Sequence, residues 1–198
     1  MRLTLISRRL LAALCMLGLL APAAPAAEQS AALARAQTLV EAAHGALTAQ
    51  TSAAEQRTRL KAAIADSFAF DVWERFLIDA DAVSMSEAQA AEFRALLPGF
   101  LAQLYFNQFG KGLEQKPEII EARRARKDAL VRATIPRANG KTLPVDWRIR
   151  DFGARGHLVI DVMVGGTSFL ILKRDEFDGI LQQGGPTALL DFMRKNSI

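Results

Sequence analysis

The sequence predicts an α+β domain in which helices at both ends of the chain surround an antiparallel sheet of about four strands. Between residues 27 and 109, apolar residues recur every three to four positions, which is the helical period. From Pro117 the apolar period changes to two, which is typical of strands with one buried face. After Asp175 the helical period returns. Because the strands follow one another along the chain, they are expected to pair as consecutive hairpins.

Residues 1–26 are predicted to be a cleavable signal peptide, and residues 27–198 a single domain. Arg2, Arg8 and Arg9 form a positive start, and residues 10–20 form an apolar run too short to span a bilayer comfortably. A segment of small residues follows, with a cleavage site predicted after Ala26. The alternatives are a retained membrane anchor and a twin-arginine export signal.

Removal of this segment changes the charge and the cysteine content of the chain. Its three arginines reduce 25 basic residues to 22 against 21 acidic residues, which lowers the net charge from +4 to about +1. A nucleic-acid-binding protein is expected to be clearly basic, so nucleic acid is excluded as a partner. Cys15 leaves with the signal, and the mature domain must therefore be stabilised by its apolar core without disulfides.

The front of the domain is predicted to contain four helical stretches. The first covers residues 27–48, and the second begins at a capping box made by Ser52 and Glu55 and runs towards Phe68. Asp71 is the predicted N-cap of a short helix that ends at Leu77.

The longest helix is predicted to begin at a capping box of Ser84 and Glu87. Pro98 is expected to kink it or to start a new helix, and Gly110 and Gly112 to end it.

The middle of the chain is predicted to form the sheet. Residues 118–121 and 127–135 read as one interrupted strand or two short strands, and Asn139-Gly140 is a strong hairpin signal. Residues 143–149 alternate as a half-buried strand. The next strand has its apolar face at Leu158, Ile160, Val162 and Val164, and residues 168–172 are predicted to form the last strand. In the tail, a helix from Asp175 to Leu181 is expected to be broken at Gly184-Gly185, with Pro186 at the start of the final helix.

The sequence offers little chemistry, so no catalytic residue, metal site or cofactor is predicted. His44 and His157 are far apart and have no metal-ligand spacing, and Gly165-Gly166 is a hairpin turn rather than a phosphate loop. The basic run Arg123–Lys127 is interpreted as a solvated strand edge, with a docking patch for anionic headgroups or an acidic partner as the alternative.

Aromatic residues are concentrated between Phe68 and Phe109. Such a stripe is usually plain core. The alternative is that the curved sheet and the helices enclose a cavity large enough for a lipid.

From Phe68 onward, over most of the mature domain, the chain resembles the MlaC family, also known as toluene-tolerance auxiliary proteins, and the C-terminal third carries most of the resemblance. The resemblance rests on Asp161-Val162 followed by Gly165, Ser168 and Phe169, on the Arg-x-x-Phe segment 174–177, on Gly184-Gly185, and on the final helix with Ala188-Leu189. Upstream, residues 68–71, the helix start at 84–86 with Gln89 and Phe93, and Leu104-Tyr105 also match. His157 and Trp147 depart from the family pattern, as does the basic run 123–127.

The resemblance implies an NTF2-like cone that holds acyl chains in an apolar cavity. It implies a periplasmic, non-enzymatic carrier that shuttles phospholipid between an outer-membrane lipoprotein complex and an inner-membrane MCE-domain transporter complex.

Three other functions stay open. The ligand could be another lipid such as a hopanoid. The cone could house an enzyme that uses Asp146 with His157 or Asp161. The protein could also be a structural module with a solid core.

Thirteen apolar residues are predicted to contact lipid, chosen from helix stripes and strand alternation. They are Phe70, Trp73, Phe76, Phe100, Leu104, Tyr105, Val131, Val145, Trp147, Ile160, Val162, Phe169 and Ile171.

Overall fold

The computed structural model describes residues 24–78, 85–109, 116–137 and 140–198. Four helices precede the sheet and one follows it. The helices are α1 (Ala24–Thr48), α2 (Ala53–Ser67), α3 (Phe70–Leu77), α4 (Glu87–Phe109) and α5 (Phe169–Lys195). The strands are β1 (Glu118–Ala125), β2 (Asp128–Pro136), β3 (Thr142–Asp151), β4 (His157–Val164) and β5 (Thr167–Ser168). Residues 1–23 of the predicted signal peptide lie outside the described residues. Asn139, Gly110 and Gly112 also lie outside them.

The strands form one antiparallel sheet in the order β1-β2-β3-β4-β5. This arrangement confirms the α+β class and the meander. The structure has five strands where about four were predicted, because 118–125 and 128–136 are two full strands joined by a tight turn. Arg126 occupies the left-handed region in that turn with φ 60°, so the basic run 123–127 is the end of β1 and the hairpin itself.

One face of the sheet is apolar and carries the core. Opposed residues along its central strands, such as Val131, Trp147 and Val162, are Cα partners and belong to the main hydrophobic cluster. The other face is charged, with Arg132 opposite Asp146 and paired with it at 2.8 Å. This alternation follows from the period-two pattern of the sequence.

A β-bulge in β4 corrects the predicted face of that strand. The register shifts opposite Arg148 and Ile149, so that Ile149 pairs with Val159 while Arg148 pairs with Asp161. Ile160 therefore does not lie on the same face as Val162. It packs with Leu158 and Ala69 in a second, smaller cluster. A bulge adds one residue to a strand and reverses the alternation beyond it, which simple period-two reasoning cannot detect.

The helices differ in whether they contact the strands directly. α1 contacts β1, β2, β3 and β4, and α3 and α5 contact β4. α4 packs against α2, α3 and α5, and makes little contact with the strands. α4 is therefore attached to the rest of the fold mainly through the other helices.

Two of the three predicted N-caps in the front of the domain differ in the structure. Ser52 is the N-cap of α2 and accepts from the Glu55 backbone N–H, as expected. The capping box of α4 is made by Ser86 and Gln89, whose side chains each accept a backbone N–H of the other; Ser84 lies outside the described residues. Asp71 is not the N-cap of α3, because the helix begins at Phe70.

Asp71 instead binds Arg155 through both carboxylate oxygens, at 2.8 and 3.1 Å.

The predicted strand 168–172 is wrong after its first residue, because α5 begins at Phe169. Ser168 is the N-cap and accepts from the Ile171 N–H, and its own hydroxyl donates to Asp161 at 2.8 Å. Asp161 also accepts the Leu170 and Val162 N–H groups. Burial raises the pKa of Asp161, although these donors stabilise its ionised form. The Asp-Val…Ser motif is therefore a joint between β4 and α5.

The other helical expectations concern Gly185 and Pro98. Gly185, at φ 65°, interrupts α5 at the predicted break. α4 continues through Pro98 as a single helix.

Replacement of Ser168 by alanine should destabilise the protein by about 2 kcal/mol. The change removes a helix N-cap, which contributes about 1 kcal/mol, and leaves half-buried Asp161 without one donor. Urea unfolding followed by circular dichroism measures the effect. Thr167→Ala, at the exposed neighbouring position, is the control, and an equal effect of both changes would contradict the role of Ser168.

Candidate functional site

The inner side of the fold, where the apolar face of the sheet meets the helices, contains two kinds of apolar residue. Some are fully buried and have no surface left for a ligand, while others pack against the core but remain half-buried. Only the second kind can contact a ligand without rearrangement of the interior. The half-buried residues of this kind on the sheet are Ile119, Ala122, Leu143, Val162 and Val164. Those on the helices include Phe70, Leu104, Tyr105, Phe106, Phe169, Ile180 and Leu181.

Most of the half-buried sheet residues lie at one end of the sheet. Leu143 is close to the start of β3 and pairs with Ile135 near the end of β2. Val164 ends β4 and pairs with Val145, and Ile119 is near the start of β1. We call this edge, defined by Ile119, Leu143 and Val164, the mouth end. An apolar surface that is accessible at one end of a closed core is the arrangement expected of a site that admits long apolar ligands.

Five of the thirteen predicted residues are half-buried on this inner side. They are Phe70 on α3, Leu104 and Tyr105 on α4, Val162 on β4 and Phe169 at the start of α5. Burial raises the pKa of Tyr105 to about 12, so its hydroxyl is neutral at physiological pH. All five pack against the main hydrophobic cluster, and their contact with a ligand stays a prediction.

Another five predicted residues lie in filled core. Val131, Trp73 and Phe100 have at most 1% of their surface exposed, and Val145 and Trp147 at most 4%. Phe100 packs against Phe177 and Phe192 in an aromatic cluster between α4 and α5. The contact of these residues with a ligand stays a prediction.

The remaining three predicted residues lie elsewhere. Ile171 is 46% exposed because its segment is helix rather than strand. Phe76 is 37% exposed and lies under the Arg174 guanidinium. Ile160 faces the second cluster because of the bulge in β4.

Sequence reasoning missed several half-buried residues that pack against the main hydrophobic cluster. Leu143 and Val164 continue the apolar alternation of β3 and β4 and could have been chosen on that basis. Ile119, Phe106, Ile180 and Leu181 carry no comparable signal, because their accessibility depends on which elements leave space around them.

The polar groups do not form the acid-base pair considered for an enzyme. Asp146 is bound by Arg132 on the charged face of the sheet, and Asp161 is bound at the β4–α5 joint. His157 Nε2 is buried without a hydrogen-bond partner in the described chain. Within the same ranges, no group of three or more His, Cys, Asp or Glu side chains is arranged to hold a metal ion.

No helix in the described part of the chain has both the length and the apolar character needed to cross a membrane.

Comparison with solved structures identifies a similar fold. The phospholipid-binding protein from Ralstonia solanacearum, solved in complex with a phospholipid, matches with a TM-score of 0.66. The match covers 85% of this chain and 96% of that chain at 16% sequence identity, and at this identity it shows the fold. A search of curated proteins finds no match.

A family model described as MlaC protein matches residues 35–195, which includes every described strand and all of α2–α5. The match extends well beyond the C-terminal third that carried most of the resemblance. The chain belongs to the MlaC protein family.

Proposed function

We propose that this protein is a periplasmic, non-enzymatic carrier that binds the acyl chains of phospholipid between the apolar sheet face and the helices. The observation that carries the proposal is the set of half-buried apolar residues at the mouth end and on α3, α4 and α5. Membership of the MlaC family supports it. The similar Ralstonia protein, which has the same fold, binds a phospholipid.

The energetics of the task favour an enclosed apolar site. Exposure of an acyl chain to water costs about 0.8 kcal/mol per methylene, or roughly 12 kcal/mol for about fifteen methylenes. A protein that covers the chain removes most of this barrier between two membranes. Delivery then needs only a partner that favours the open form or competes for the tails.

The proposed partners are the two membrane complexes implied by the family. The carrier would exchange phospholipid with an outer-membrane lipoprotein complex and with an inner-membrane MCE-domain transporter complex.

Native mass spectrometry of the mature protein, residues 27–198, purified from a periplasmic extract, tests lipid binding. We expect a mass increase equal to one or more phospholipids, and solvent extraction should release molecules that contain phosphate and acyl chains. The delipidated protein should take up labelled phospholipid from vesicles. Protein that is free of lipid when purified and takes none up would contradict the proposal, and recovery of a hopanoid would replace the ligand.

A further inference from the structure

The direction of α2 places its first turns at the mouth end. After the last residue of α2, Phe68 forms a parallel bridge with Val159 near the start of β4, which is the opposite end of the sheet. This bridge fixes the C-terminal end of α2 at the far end of the sheet, and we infer that the first turns, capped by Ser52, lie towards the mouth end. Arg57 lies in the second turn of α2, seven residues before buried Ile64 and three before buried Leu60. That spacing puts Arg57 on the core-facing side of the helix.

Arg57 is a cation without an ionic partner in the described chain. Its guanidinium carbon lies 4.4 Å from the centre of the Phe106 ring, one of the half-buried residues of the site. The neighbouring cations of α2 have partners within the protein. Arg59 pairs with Glu55 at 2.6 Å, and Lys61 donates to the Ile198 carbonyl at 2.9 Å.

The nitrogens of Arg57 differ in their surroundings. Nε is enclosed and unpaired. The side chain as a whole is only half-buried, and its terminal nitrogens form no hydrogen bond within the described chain.

Unpaired polar atoms are concentrated in this corner of the fold. The described chain contains five buried side-chain polar atoms without partners, and three of them lie on α1, α2 and their connection. They are His44 Nε2, Thr51 Oγ1 and Arg57 Nε. Because an unpaired buried polar group is costly, these three atoms favour a polar partner, either water or a ligand, near the α1–α2 connection.

The chemistry of an arginine stacked on an aromatic ring favours an oxyanion. The planar guanidinium is fixed over Phe106 by the cation–π contact, and its edge presents N–H groups that match two oxygens of a phosphate. A phospholipid whose tails lie between α4 and the sheet would place its phosphate at the mouth end, near Arg57.

We propose that Arg57 binds the phosphate of the lipid headgroup and makes the carrier select phosphate-bearing lipids over uncharged lipids with the same tails. The inference rests on the proposed function and adds a headgroup contact to it. Arg57 acts as a specificity-determining residue, and Phe106 holds its guanidinium in position.

The test measures uptake of two tritiated lipids by delipidated protein from phosphatidylcholine vesicles. One is phosphatidylglycerol, and the other is the diacylglycerol with the same acyl chains and no phosphate. Arg57→Gln should lower phosphatidylglycerol uptake about tenfold, the size expected for loss of a charge-assisted hydrogen bond. It should change diacylglycerol uptake less than about twofold. Arg57→Lys, which retains the charge without the planar edge, should give an intermediate value, and Arg59→Gln is the matched control on the exposed side of α2.

The outcomes separate this inference from the proposed function. If Arg57→Gln lowers the uptake of both lipids equally, or of neither, the phosphate contact is overturned. Uptake of lipid by the wild type in the same experiment still supports the proposed carrier function. Wild-type protein that takes up neither lipid overturns both. Titration calorimetry with inorganic phosphate forms a further arm: Arg57-dependent binding of phosphate, together with lipid uptake that does not depend on Arg57, would assign the site to free phosphate and overturn the headgroup contact.

Discussion

Replacement of Val164 by tryptophan is expected to lower lipid uptake by more than about tenfold while leaving the protein folded. Val164 is half-buried at the mouth end and faces the inner side of the sheet. A tryptophan there would occupy space that the acyl chain needs. Exclusion of two or three methylenes, at about 0.8 kcal/mol each, is enough for this loss.

The same substitution also tests whether the space is open. If the inner side admits a ligand, the larger side chain enters that space and the free energy of unfolding changes by less than about 1 kcal/mol. If the interior is tightly filled, overpacking costs about 1–3 kcal/mol. The measurements are labelled-lipid uptake and urea unfolding of the delipidated protein.

Met163→Trp is the matched control for Val164→Trp. Met163 precedes Val164 on β4, and it pairs with Asp146 on the opposite, charged face. Its replacement should leave lipid uptake unchanged. A large loss of stability in Val164→Trp, or similar uptake by both variants, would refute the assignment of the mouth end.

Asp128→Asn is expected to destabilise the protein by about 2–4 kcal/mol without a specific effect on lipid selectivity. Asp128 is completely buried at the start of β2 and accepts from Arg148 Nε and Arg150 Nε, each at 2.6 Å. Loss of one member of a buried ionic group costs about 3–5 kcal/mol. The lower value is expected because the arginine side chains are 39% and 25% exposed and can partly return to water.

The destabilisation by Asp128→Asn should depend on pH. Burial alone would raise the pKa of Asp128, but the hydrogen bonds and charges of Arg150 and Arg148 outweigh it and hold the pKa below the ordinary value of 3.8. A carboxyl with a lowered folded-state pKa stabilises the fold above its unfolded pKa, and this stabilisation is lost as the pH falls towards the folded pKa. The difference between wild type and Asp128→Asn should therefore be largest near neutral pH and shrink below about pH 4.

Urea unfolding at pH 7 and at pH 3 measures this difference. Asp66→Asn is the control, because Asp66 is 71% exposed in its pair with Arg35 and an exposed pair contributes about 0–1 kcal/mol. Equal effects of the two changes, or a difference that grows in acid, would contradict the structural role of Asp128.

The sequence determined the elements whose signals are local. The period of apolar residues placed the helical front, the sheet and the helical tail, and Ser52 with Glu55 marked the start of α2. The break in α5 was predicted at Gly184-Gly185, and the structure has it at Gly185, which adopts a positive φ. Alternation along β3 correctly assigned Trp147 and Val145 to the apolar face. These features depend on the conformational preferences of residues that are close in the sequence. A short segment therefore contains all the information that specifies them.

Tertiary structure alone decided which apolar residues remain accessible. Val131 and Val162 both lie at apolar positions of segments with a period of two, yet Val131 is completely buried and Val162 is half-buried. The bulge that turns Ile160 to the other face arises from the pairing of β4 with β3. The helix start at Phe169 is stabilised by the hydrogen bond between Ser168 and Asp161. Apolar periodicity reports that a side chain avoids water, but not whether its neighbour is protein or a ligand, because both remove the same surface from solvent.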